Sequence, residues 1–132
     1  MKKIILVLSL VSLCLTGFTQ SEEFVRVYSE WRLIDGETFN LEDSNFEITI
    51  VTFNYNGKNI VEIKRQDVEP FYLYQVGEVK EDTDDNGGLI QTMKTVGEDG
   101  LDVLFSYFEN DKKGVLLVFK DRGQVQMVNF CN

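Results

Sequence analysis

The sequence has no histidine, two cysteines and a single proline. Without histidine there can be no Ser-His-Asp or Cys-His nucleophile system, and the usual general base and usual zinc ligand are missing. Cys14 and Cys131 are too few for a thiolate zinc or iron–sulfur centre. Basic residues are scarce as well. Thirteen Lys and Arg stand against 22 Asp and Glu, a net charge of −9, and no basic cluster exceeds two residues, as at Lys64-Arg65 and Lys112-Lys113. Nucleic acid and anionic membrane surfaces are therefore poor partners, and charge favours a basic protein or a cation. Beyond residue 19 the longest apolar run is Val115 to Phe119. That is strand-sized, well short of the roughly 20 residues a membrane helix needs. No glycine-rich phosphate loop leads into a helix. Carboxylate-only catalysis, as in glycosidases, passes these filters. No pair stands out among the 22 carboxylates, so the expectation is a protein that is not an enzyme.

What is present begins with an address label. Met1-Lys2-Lys3 supplies a positive end, Ile4 to Leu15 is apolar except for Ser9 and Ser12, and Gly17-Phe18-Thr19 puts small residues three before and one before Gln20. This layout predicts a secretory signal peptide over 1–19, cleaved near Thr19/Gln20, and a secreted or periplasmic destination. After cleavage, residues 20–132 form the expected single domain, long enough to bury a core without metal or disulfides. Loss of Lys2 and Lys3 takes the net charge from −9 to −11, and no membrane attachment is expected after cleavage. Cys14 leaves with the label, and the bulky Leu13 before it argues against lipidation. Cys131 is then the only thiol, so no intramolecular disulfide is expected despite an oxidising destination. It either closes the last strand or pairs between chains.

The rest reads as strands. Apolar, β-branched and aromatic runs lie near 24–34, 46–55, 59–65, 70–80, 88–96, 101–109, 114–120 and 124–130. Turn signals separate them: Asn56-Gly57 as a two-residue hairpin, Glu98-Asp99-Gly100, Asn110 to Gly114, and Asp121-Arg122-Gly123. Short loops make successive strands antiparallel neighbours. In 101–109, Leu101, Val103, Phe105 and Tyr107 share one face. In 46–55 the apolar face switches from Phe46/Ile48/Ile50 to Val51/Phe53/Tyr55, which predicts a bulge or bend. Phe71 to Tyr74 and Val115 to Phe119 are apolar on both faces, and a flat sheet would leave one of those faces wet. The expected fold is therefore all-β: an antiparallel up-and-down meander of about eight strands forming a small barrel or strongly curled sheet. Asp35 to Asn45 is the longest expected connection, with Phe39 and Leu41 plugging inward.

Two sets of residues are candidates for a site. An enclosed cavity for a small apolar ligand would be lined by Trp31, Tyr72, Tyr74, Phe105 and Tyr107. Trp31 has the alternative role of closing the core, and outward-facing Tyr72 and Tyr74 would instead offer a protein contact patch. The second set is Asp82, Asp84 and Asn86 in Glu81-Asp82-Thr83-Asp84-Asp85-Asn86-Gly87-Gly88. Oxygen ligands at alternate positions followed by Gly match the first half of a calcium loop. The second half fails, because Met93 stands where a bidentate Glu belongs. The reading is a solvated turn or a weak calcium site; no other cofactor is expected.

Glu30-Trp31-Arg32, Phe53 to Lys58, the acidic hairpin at 82–87 and Gly97 to Leu101 together resemble a loose set of small secreted bacterial β-proteins. That resemblance implies an exported β-fold and no particular activity. By analogy the architecture is similar to the calycin, or lipocalin-like, class, which implies a ligand-binding barrel. The Gly-x-Trp opening of that class is absent, since Ser29-Glu30 precedes Trp31. The expected function is non-catalytic binding of a small apolar ligand. The alternative is an acidic interaction module or an inhibitor of a basic extracytoplasmic protein.

Overall fold

The computed structural model describes residues 22–132, so the signal peptide read over 1–19 and its junction lie outside the described residues. Nine strands follow one another: β1 Phe24–Asp35, β2 Leu41–Phe53, β3 Ile60–Arg65, β4 Phe71–Gln75, β5 Lys80–Thr83, β6 Leu89–Gly97, β7 Asp102–Phe108, β8 Val115–Asp121 and β9 Gln124–Cys131. Every pairing is antiparallel, in the order β4-β3-β2-β1-β9-β8-β7-β6-β5, and β4 also pairs with β6. That last ladder closes an eight-stranded barrel from which β5 extends as an outer hairpin on β6.

Alternation explains which side chains fill it. Val51 and Phe53 on β2, Val61 and Ile63 on β3, and Val103, Phe105 and Tyr107 on β7 are buried in one core. Each large apolar side chain removed from water contributes roughly 1.5–3 kcal/mol. On β2 the outward set is Phe46, Ile48 and Ile50, and the β1–β2 ladder carries an irregularity between Tyr28 and Glu30. The apolar set changes face between Ile50 and Val51 by simple alternation, since both ladders run unbroken through Thr49–Thr52; the bulge lies earlier, between Phe46 and Thr49, and not at the switch where the sequence predicts it.

Three local expectations are corrected. The strand expected over 70–80 is broken. β4 meets β6 as far as Gln75 opposite Thr95, and Val76 N still donates to Lys94 O at 3.0 Å. A continuous ladder would then put Glu78 opposite Thr92, but Lys80 stands there. The two extra residues bow out because β3 has ended; Gln75 N to Asn59 O, 3.1 Å, is the last bond to that side. The turn at Asn56-Gly57 is not a two-residue hairpin. Asn54, Asn56 and Gly57 all have positive φ, and two overlapping turns, kinked at Asn56, carry the chain over Tyr55–Gly57 and widen the connection. The connection expected over Asp35–Asn45 shrinks to Gly36–Asn40. Asp35 Oδ1 accepts the N–H groups of Glu37 (2.8 Å) and Thr38 (3.1 Å), so the turn is satisfied locally. Phe39 and Leu41 are consequently exposed, at 72% and 57%, instead of plugging the barrel.

The end near that turn is closed by side chains from three strands. Trp31 on β1 packs against the core, its indole Nε1 donates to Glu47 Oε2 at 2.9 Å, and Arg65 on β3 lies over its ring. At the other end the first half of β1 pairs only with β2, since β9 joins β1 from Glu30 onward. The Asn132 side chain partly continues that seam, accepting from Ser29 N at 3.0 Å and donating to Val27 O at 3.2 Å.

Candidate functional site

Where β3 and β4 stop pairing, the barrel wall lacks a stave. On one side stands the turn Asn54–Asn59, and on the other β5. Between them opens a cavity of about 750 Å3 that reaches into the barrel. A volume of this size lies within the roughly 300–1,000 Å3 typical of small-molecule sites.

Its floor is aromatic. Phe53 stacks on Phe24 with ring centroids 4.4 Å apart and an interplanar angle of 6°. The same ring meets Tyr107 edge-on at 5.0 Å and Phe105 at 5.8 Å. Phe24 and Phe53 are opposite each other in the β1–β2 register, and Phe105 and Tyr107 alternate inward on β7, so sheet geometry alone brings the four together. Ile60, Val61, Val79 and Met93 complete the apolar part. Behind the cluster, Arg26 Nε donates to Tyr107 Oη at 3.1 Å, with the guanidinium 5.8 Å from the Phe24 centroid. The hydrogen bond and a cation–π contact hold the Tyr107 ring in place.

The rim is polar. Asn54, Lys58 and Asn59 line it from the turn, Gln75 from β4, and Glu81 and Gln91 from the β5–β6 pair. Gln91 Nε2 donates to Glu81 Oε1 at 3.0 Å. Lys58 makes no ion pair within 4 Å among the described residues. An apolar floor beneath a ring of amides, one cation and one carboxylate suits a ligand with an apolar body and a hydrogen-bonding end.

Two inward positions below Phe53 the interior turns polar again. Tyr28, Thr49 and Arg65 are successive cross-strand partners on β1, β2 and β3. Tyr28 and Thr49 are completely buried, and Tyr28 Oη, Thr49 Oγ1 and Arg65 Nε have no hydrogen-bond partner among protein groups. Burial pushes the Tyr28 phenol well above its ordinary range.

Of the five residues expected to line a cavity, Phe105 and Tyr107 form part of the floor. Trp31 sits at the opposite, closed end. Tyr72 lies opposite Glu62 on the outer face of the β3–β4 ladder, and Tyr74 shares that face. Tyr72 Oη donates to Glu62 Oε2 at 3.0 Å, which pushes the phenol upward, and its ring lies 5.4 Å from that of Tyr55. Among the lining residues absent from the expected set are Phe24, Phe53, Met93 and Gln91. Alternation with Val51 marked Phe53, but only pairing across strands sets Phe24 opposite Phe53 and Met93 opposite Phe105.

In the acidic turn, Asp84 Oδ1 accepts Gly88 N at 2.7 Å and Asn86 N at 2.9 Å, and its other oxygen is 3.8 Å from Lys113 Nζ. Those partners, the Gly88 N–H foremost, hold its carboxyl below the ordinary value. Asp82 Oδ1 accepts the neighbouring Thr83 N–H at 2.8 Å. Among the described residues no three acidic or cysteine side chains gather at metal-binding distance. Compared with protein-family models, with curated proteins and with solved structures, the chain matches none.

Proposed function

We propose that this protein is a secreted or periplasmic, non-catalytic binding barrel, lipocalin-like in manner, that takes a small ligand with an apolar body and a polar end. The observation that carries the reading is the cavity of about 750 Å3, with Phe24, Phe53, Phe105 and Tyr107 below and an amide-rich rim above. Aromatic side chains supply contact area with few torsions to freeze, and rim amides orient one end of a guest. The leader at 1–19 supports the destination.

The test is native mass spectrometry of protein purified from the periplasm without denaturation, followed by titration with an environment-sensitive apolar dye. A co-purifying small molecule and saturable dye binding are expected. Met93→Trp, which fills the cavity from β6, should remove dye binding while the circular dichroism spectrum is retained. A clean apo mass together with no saturable dye binding would sink the reading.

A second reading rests on the outer face. Tyr55, Tyr72 and Tyr74 stand beside Glu62 on a chain of net charge −9, a combination suited to docking a basic protein. Association that weakens steeply with salt and survives Met93→Trp would favour it.

A further inference from the structure

We propose that the gap beside β5 accepts an extended basic–apolar polypeptide segment, which pairs with the β5 edge and lowers an apolar side chain onto the aromatic floor. The inference rests on the cavity being a binding site and names the class of its occupant. Three observations carry it.

The first is an unused edge. β5 pairs with β6 through Lys80↔Thr92 to Thr83↔Leu89, and with no other strand. All four of its residues are exposed. In an antiparallel pair half the backbone N–H and C=O groups point away from the partner. Asp84 N bonds inward to Gly88 O, so Glu81 and Thr83 point outward, and with Thr83 N–H held by Asp82 Oδ1 the edge offers the Glu81 N–H and C=O and the Thr83 C=O toward the missing stave. An added strand would satisfy them and complete the wall between β5 and the Asn54–Asn59 turn.

The second is what lies under that edge. Val79 and Glu81 line the same cavity as Phe24, Phe53 and Met93. A segment lying along β5 presents alternate side chains inward, by the period-2 rule, and an inward apolar residue meets the floor.

The third is charge. Glu78, Glu81, Asp82 and Asp85 lie along this hairpin with Lys80 among them, Asp84 being engaged by Lys113, and they outnumber Lys58 on the opposite rim. Alternate residues facing outward over such a surface are favoured as lysine or arginine. The same charges oppose pairing of β5 with a second copy of itself, a common protection of exposed edges.

The experiment uses the intact protein and a short acetylated peptide of alternating lysine and valine with a central phenylalanine, fluorescently labelled. Binding is read by anisotropy, and amide hydrogen exchange locates it. The expected result is saturable binding that displaces the apolar dye and slows exchange across Lys80–Thr83. N-methylating alternate backbone nitrogens of the peptide should weaken it by about tenfold or more, because two or three ladder bonds of about 1 kcal/mol each are lost. Equal affinity of the N-methylated peptide, or protection elsewhere, overturns the proposal. So does a concentration-dependent dimer protected at β5. Dye binding without peptide binding overturns this proposal and leaves the cavity reading standing, whereas loss of both removes both.

Discussion

The Arg65 guanidinium lies 5.3 Å from the centroid of the Trp31 indole, and both side chains donate to the same oxygen, Glu47 Oε2, at 3.0 and 2.9 Å. Strands β1, β2 and β3 are thereby tied at the closed end of the barrel. The bond from Arg65, above all, holds the Glu47 carboxyl below its ordinary value of 4.5, with Trp31 adding to it. A carboxyl lowered in the folded state contributes stability that is complete above the unfolded value and is lost as pH falls through the folded one. Urea unfolding followed from neutral pH down through the acid range should show that loss. Glu47→Gln should lower stability at neutral pH and flatten the acid slope. An unchanged slope would mean the triad does not couple to folding.

The buried hydroxyls of Tyr28 and Thr49 have no hydrogen-bond partner among protein groups, and a buried hydroxyl without a partner costs stability. Tyr28→Phe and Thr49→Val keep shape and remove the polar atom. Each is expected to raise unfolding free energy by about 1 kcal/mol, with an unchanged dependence on urea. Destabilisation instead would show that the hydroxyl is hydrogen-bonded in solution, by water or by a guest.

Two glycines separate backbone strain from steric clash. Gly114 has φ +64, and a Cβ there would press on the Phe130 carbonyl and come within 2.9 Å of Cys131 Cα. Gly123 has φ +80 with nothing within 4 Å. Gly123→Ala should cost about 1–2 kcal/mol, the left-handed penalty alone. Gly114→Ala should cost more, about 2–4 kcal/mol, because β9 must move. Thermal melts of the two variants side by side decide it, and equal losses would refute the clash.

The acidic turn is organised by Asp84, not by Asp82. Asp84→Asn should lower the melting temperature more than Asp82→Asn, because it weakens two backbone bonds and the contact with Lys113. Calcium at about 10 mM, above the affinity range of extracellular calcium modules, is expected to leave the melting temperature unchanged. A rise that Asp84→Asn abolishes would establish a cation site here.

Much of the fold was legible residue by residue. Alternation in Val103, Phe105 and Tyr107 marks an inward face, and the turn residues at Gly100, Gly114 and Gly123 end strands where the ladders do end. The site was only half legible. Phe105 and Tyr107 announce themselves by period, but Trp31 and Tyr72 are equally aromatic and lie elsewhere. Nothing local separates them, because facing the cavity depends on which strand stands opposite. The break at Gly77–Val79 had one local cue, since an isolated glycine in a strand run marks a bulge, but that the run opens there, where pairing with β3 stops, is decided by the neighbouring strand.

By itself, then, the sequence determined strand content, antiparallel order, the acidic surface and the absence of histidine chemistry. These depend on composition and on contacts within a few residues. Tertiary structure decided that β4 rather than β5 closes the barrel, that Trp31 seals one end with Glu47 and Arg65, and that Phe24, Phe53, Phe105 and Tyr107 floor a cavity at the other. Those are matters of register between distant strands, and register is fixed only once the sheet has curled and every stave has found its neighbour.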